Sequence, residues 1–125
     1  MEISVAKNAG FCFGVKQAIS LARNMLEEKN KICIMGNIIN NPGIVLELEN
    51  KGARTISSLS EVKKGEILII RAHGVKKEIL EEAESQGINY IDATCRFVKK
   101  IHKIVSENDC ENEFLLTAGS LNHPE

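Results

Sequence analysis

The 125-residue chain carries 16 Lys and Arg against 17 Asp and Glu, a formal net charge of −1, and that balance excludes a general binder of nucleic acid or other polyanions. Its length suffices to bury a core without cross-links, and 43% hydrophobic with 26% charged residues excludes a disordered or fibrous chain. The longest wholly aliphatic stretch, Ile67 to Ile70, is too short to span a bilayer, and residues 1–10 lack an apolar segment followed by a cleavage site, so a cytoplasmic setting is expected.

Ile3–Ala6 reads as a first strand. Val15, Ala18, Ile19, Ala22, Met25 and Leu26 recur at helical spacing and predict an amphipathic helix. Ile32–Met35 is apolar at every position, as in a strand covered on both faces. Asn41-Pro42 supplies a cap and a first-turn proline for the next helix, which Gly52 ends. Ser58 and Glu61 stand at capping-box spacing. A strand over Glu66–Ile70 and a helix from Lys76 to near Gly87 follow, then a buried strand over Ile88–Ile91. Thr94 is placed to cap a helix whose buried stripe is Phe97, Val98, Ile101, Ile104 and Val105. Phe114–Thr117 reads as one more strand. Alternation of short apolar runs with helical patterns predicts an α/β fold, a parallel sheet covered by helices. Ending just after a strand, in a loop, suggests a piece of a longer protein.

In open parallel sheets ligands gather beyond the carboxyl ends of the strands, where loops and helix N-termini converge. The segments that follow the strands here are Gly10-Phe-Cys12-Phe-Gly14, Asn37 to Pro42, Arg71-Ala-His73-Gly74, Asp92-Ala-Thr94-Cys95 and Asn122-His123-Pro124-Glu125. Residue types that ligate metals, clamp anions and move protons thus share one rim. Cys12 and Cys95 fall at predicted helix N-termini, where the dipole favours a thiolate, the ligand that soft metals and iron–sulfur clusters require. Gly10 and Gly14 allow close backbone approach. His73 and His123 are equipped to donate to a phosphate or relay a proton. A buried Glu125 suits a general acid. Cys33, mid-strand, and Cys110, in an acidic loop, read as structural. His102, among lysines, reads as a surface residue, and Arg96, Lys99, Lys100 and Lys103 as a solvated helix face.

The segments Gly10-Phe-Cys-Phe-Gly-Val15, Arg71-Ala-His-Gly-Val75, Asp92-Ala-Thr-Cys95 with Val98-Lys99, and His123-Pro-Glu125 together resemble the 4-hydroxy-3-methylbut-2-enyl diphosphate reductase family, in its order and spacing over essentially the whole chain. The resemblance implies a three-module architecture around a 4Fe–4S cluster held by three cysteines. This chain would contain the first module, residues 1–95, and the start of the second, residues 96–125. It implies Cys12 and Cys95 as two cluster ligands, with the third outside the chain. Asn40, His73 and His123 would bind substrate, and Glu125 would be the catalytic proton donor. The implied reaction converts (E)-4-hydroxy-3-methylbut-2-enyl diphosphate to isopentenyl and dimethylallyl diphosphate in the methylerythritol phosphate route to isoprenoids. Reduced ferredoxin or flavodoxin would be the electron donor, and RNA a partner only where a ribosomal-S1-like extension follows.

Two positions depart from the family pattern. Asn40-Asn41 stands where His-Asn is typical, so residue 40 donates a hydrogen bond but carries no charge. Arg96 stands where proline usually follows the cysteine. With one of its thiol ligands outside it, the chain by itself is expected to be inactive. The alternative from another class is a non-catalytic or degenerate α/β module whose rim holds zinc or a small anion. Neither a G-x-G-x-x-G nor a Walker-type loop supports a nucleotide site, and no C-x-x-C pair supports structural zinc.

Overall fold

The computed structural model describes residues 1–7 and 9–107. Four parallel strands, β1 (Ile32–Met35), β2 (Arg54–Ile56), β3 (Ile67–Ile70) and β4 (Tyr90–Asp92), form one sheet in the order β2-β1-β3-β4. The helices are α1 (Phe13–Glu27), α2 (Pro42–Asn50), α3 (Lys77–Ser85) and α4 (Arg96–Glu107), with a single 3-10 turn at Leu59–Glu61. The α/β class and the parallel sheet are as the alternation of patterns predicts.

The central strands are buried on both faces because successive side chains point to opposite sides. Ile32, Ile34 and Ile69 join Ala18, Ile19, Ala22 and Met25 of α1 and Leu48 of α2 in one core. Cys33, Met35, Leu68 and Ile70 join Leu59, Val75 and Ala83 on the other face. The register pairs Ile34 with Ile69 and Met35 with Ile70, so β1 and β3 end level and deliver their following loops to the same edge.

Local chemistry sets most boundaries. Asn41 Oδ1 accepts from the Ile44 N–H at 3.2 Å, with Pro42 in the first turn of α2. The capping box at Ser58 and Glu61 is formed. Four expectations are corrected. Ile3–Ala6 is not a strand: Ile3 and Val5 are exposed and pair with no described strand. Its alternation specifies a face that wants covering but not the edge that would cover it. The strand expected at Ile88–Ile91 is instead Tyr90–Asp92, and it is half-buried at the sheet edge. Ile88 is consumed by the end of α3, its N–H donating to the Ala83 carbonyl at 2.9 Å while that of Gly87 (φ 66°) donates to Glu84 at 3.0 Å. That double bond is a Schellman ending, and it delays the strand. Thr94 does not cap α4. Its N–H is taken by Asp92 Oδ1 at 2.9 Å, and Cys95 takes the cap position, its carbonyl accepting from Lys99 at 3.0 Å. The stripe of α4 is not buried either: Phe97, Ile101, Ile104 and Val105 are all exposed. The helix forms as patterned, but the described sheet offers it no face. The strand expected at Phe114–Thr117 lies outside the described residues.

Candidate functional site

Loops from the carboxyl ends of β1, β3 and β4 meet the N-terminal end of α1. Cys12 is the N-cap of that 15-residue helix, its side chain making no capping hydrogen bond and remaining exposed. Its carbonyl accepts the first helical bond from Lys16 at 3.0 Å. The N–H groups of the first turn therefore point past Cys12 without intrahelical partners, a concentration of positive partial charge.

Cys95, half-buried, arrives from β4 and rests on that same first turn. A Cβ built on Gly14 would lie 2.5 Å from Cys95 Sγ, so the sulfur seats on the bare backbone two residues along from Cys12. The two cysteines expected on the rim are thus brought to one helix end. The Cys95 N–H donates to the Ala72 carbonyl at 2.9 Å, which sets the His73 loop beside them. The Ala72 N–H in turn donates to the Ile38 carbonyl at 3.1 Å, joining the loop that carries Asn40. Asn40 is exposed and His73 half-buried. Among the described residues the His73 imidazole has no hydrogen-bond partner. His123, Glu125 and Cys110 lie outside the described residues.

The turn that carries His73 is built by its neighbours. Arg71 Nε donates to the Gly74 carbonyl at 3.0 Å, and its guanidinium lies over Gly36, where a Cβ would meet Nη1 at 2.9 Å. Gly74 is left-handed (φ +82°), and His102 Cε1 and Thr94 Cγ2 would each stand 3.2 Å from a Cβ there. His102 is therefore half-buried against the His73 turn and is not the simple surface residue its lysine neighbours suggest. The signal that could find it is its place on the same helix face as Val98, one turn before it.

Charges close the site. Burial by itself would push the Asp92 carboxyl up, but the Lys99 ammonium at 2.6 Å and the Thr94 N–H hold it below the ordinary carboxylate range. The Arg96 guanidinium stacks 5.0 Å from the Phe13 ring centroid and 4.9 Å from that of Phe97. The expected solvated basic face is thus partly committed: Lys99 to an ion pair, Arg96 to a pair of aromatic rings. Beside them Gln17, Leu21, Ile91, Asp92, Thr94 and Arg96 line a cleft of about 350 Å³. Cys33 has no place here: it is buried in β1, and burial pushes its thiol up to about 11.

The model of the LytB protein family matches residues 3–125. Named 4-hydroxy-3-methylbut-2-enyl diphosphate reductase, a protein of Caldanaerobacter subterraneus subsp. tengcongensis is 44% identical over 129 residues, covering 100% of this chain and 45% of that protein. A protein of the same name from Clostridioides difficile is 40% identical, again with 100% of this chain and 45% of the relative covered. A solved structure of (E)-4-hydroxy-3-methyl-but-2-enyl diphosphate reductase, described as the terminal enzyme of the non-mevalonate pathway, superposes with a TM-score of 0.79 at 42% identity, covering 98% of this chain and 43% of that one. The reductase structure from Plasmodium falciparum gives a TM-score of 0.76 at 37% identity, with 81% and 32% covered. The chain spans about 45% of the length of these curated relatives. With the family's match running from residue 3 to residue 125 and a solved reductase superposing on 98% of the chain, this chain belongs to the LytB protein family.

Proposed function

We propose that this chain is the amino-terminal part of an iron–sulfur reductase that removes the hydroxyl of (E)-4-hydroxy-3-methylbut-2-enyl diphosphate, giving isopentenyl and dimethylallyl diphosphate. The observation that carries the reading is the seating of the Cys95 sulfur on the helix end that Cys12 caps. The family membership supports it.

The donor set suits a 4Fe–4S cluster. Cys12 and Cys95 offer two thiols at the N-terminal end of α1, and cysteine sulfur is the ligand by which such clusters are held. Among the described residues no group of three His, Cys, Asp or Glu side chains is placed to hold a metal ion. The remaining ligand of this reading therefore comes from outside them. When bound, such a cluster would supply electrons one at a time and Lewis acidity toward the substrate's hydroxyl.

The chain's own residues bind, orient and protonate. His73, whose imidazole has no hydrogen-bond partner among the described residues, donates to a diphosphate oxygen, and Asn40 adds a neutral amide donor from the adjoining loop. His123 and Glu125 enter by family resemblance, His123 as a further donor to the diphosphate and Glu125 as the acid. Glu125 delivers the proton with which the hydroxyl leaves as water. The reaction as a whole takes up two electrons and two protons, breaks one C–O bond and forms one C–H bond and water. The electrons come from a small reduced carrier, ferredoxin or flavodoxin, and free thiols of this kind fit the reducing cytoplasm. Among the described residues no helix is long and apolar enough to cross a membrane. The same reading divides the chain at residues 1–95 and 96–125, supported by the exposure of Phe97 and Ile101 on α4.

The test is anaerobic loading of the full-length protein with iron and sulfide, followed by turnover with a chemical reductant. A brown protein that converts the diphosphate, and that loses its colour in Cys12→Ser and Cys95→Ser, is the expected result. A colourless protein that retains zinc instead overturns the reading. In the active protein, Glu125→Gln is expected to lower kcat while substrate still binds, and unchanged turnover removes its role as acid.

A further inference from the structure

We infer that Gly14 is a positioning residue for the paired thiols: the side chain it lacks is the space in which the Cys95 sulfur sits. The inference rests on the reading of Cys12 and Cys95 as shared ligands and extends it to a residue that ligates nothing. A Cβ on Gly14 would stand 2.5 Å from Cys95 Sγ and 2.9 Å from Cys95 Cβ. Rotation about χ1 would carry the sulfur away, but the Cβ stays where the backbone holds it. That backbone is tied on both sides. The Cys95 N–H donates to Ala72 at 2.9 Å, and the Cys95 carbonyl accepts from Lys99 at 3.0 Å. Relief of the overlap therefore separates the start of α4 from the first turn of α1, and with it Cys95 from Cys12.

The backbone at Gly14 is helical and open to any residue. Glycine is the poorer helix former there, so local propensity favours alanine. Only the packing against Cys95 demands glycine. Gly14 is itself buried, and the three atoms nearest its missing Cβ all belong to Cys95.

Full-length protein stripped of metal is titrated with cadmium(II), whose sulfur-to-metal absorption reports thiolate ligation without any turnover. Gly14→Ala is expected to weaken cadmium binding about 10- to 100-fold, the range for residues that orient metal ligands, and to lower the melting temperature. In a Cys95→Gly background the sign reverses, and Gly14→Ala raises the melting temperature because helix propensity is then unopposed. Unchanged cadmium affinity overturns the inference, as does a loss of stability that persists in the Cys95→Gly background. If Gly14→Ala alone does not fold, folding of the double variant supports the inference and its failure refutes it. A protein that binds cadmium through both thiols but never reduces the diphosphate refutes the proposed reaction and leaves the role of Gly14 standing.

Discussion

Among single residues, the described cysteines divide by environment. Cys12 is exposed at a helix end, whereas Cys33 is sealed in β1 with burial pushing its thiol up to about 11. Iodoacetamide at neutral pH is therefore expected to modify Cys12 in the metal-free native protein and to spare Cys33 until unfolding; peptide mass spectrometry reads both, and equal rates would contradict it. Arg96 between Phe13 and Phe97 predicts a coupling of about 0.5–1 kcal/mol in a double-mutant cycle of Phe13→Leu with Arg96→Ala, measured by urea unfolding. Cys95 and His73 are legible in the sequence because loop placement after a strand and chemical type coincide, whereas no strand precedes Cys12, which is placed by the helix start that follows it. The half-burial of His102 is less legible, because Gly74, against which it lies, belongs to another element. The Gly14 contact is hidden for the same reason, since a glycine in a motif does not name the atom that fills its place.

At the scale of elements, endings are written locally and partners are not. Asn41-Pro42, Ser58 with Glu61, and Gly52 act within a few residues, and each works where the sequence places it. The left-handed Gly87 that ends α3 predicts that Gly87→Ala destabilises the fold by about 1–2 kcal/mol in urea unfolding, the cost of that conformation for an L side chain. Between elements, Arg23 of α1 reaches Glu47 of α2 at 2.6 Å, and Lys51 joins at 3.1 Å. The Arg23 hydrogen bond first, and that of Lys51 second, holds the Glu47 carboxyl down to about 2 from its ordinary 4.5. A carboxylate whose folded pKa is depressed stabilises the native state above its unfolded value and loses that contribution as pH falls through the folded one. The melting temperature should therefore drop between pH 4.5 and pH 2. Glu47→Gln should flatten that part of the profile, and an unaltered profile would count against the pair.

For the whole molecule, the ratio of lengths governs what these residues can do. The chain covers 45% of its curated relatives and brings Cys12 and Cys95 to one helix end, so a polypeptide of these 125 residues produced alone is expected to load iron and sulfide poorly and not to turn over substrate. Stable loading at full stoichiometry would refute that. The sequence by itself determined the helical periods, the caps at Asn41 and Ser58 and the chemical types: which runs become helix, where α2 starts, and that Cys95 and His73 follow strands. These are local properties, carried by backbone preferences and side-chain spacing over a few residues. Tertiary structure alone decided the rest: the order β2-β1-β3-β4, the exposure of Ile3 and Val5, the open stripe of α4, and the seat of Cys95 on Gly14. A hydrophobic pattern states only that a face is to be covered. Which surface covers it depends on shape and on loop lengths, and these act between residues far apart along the chain.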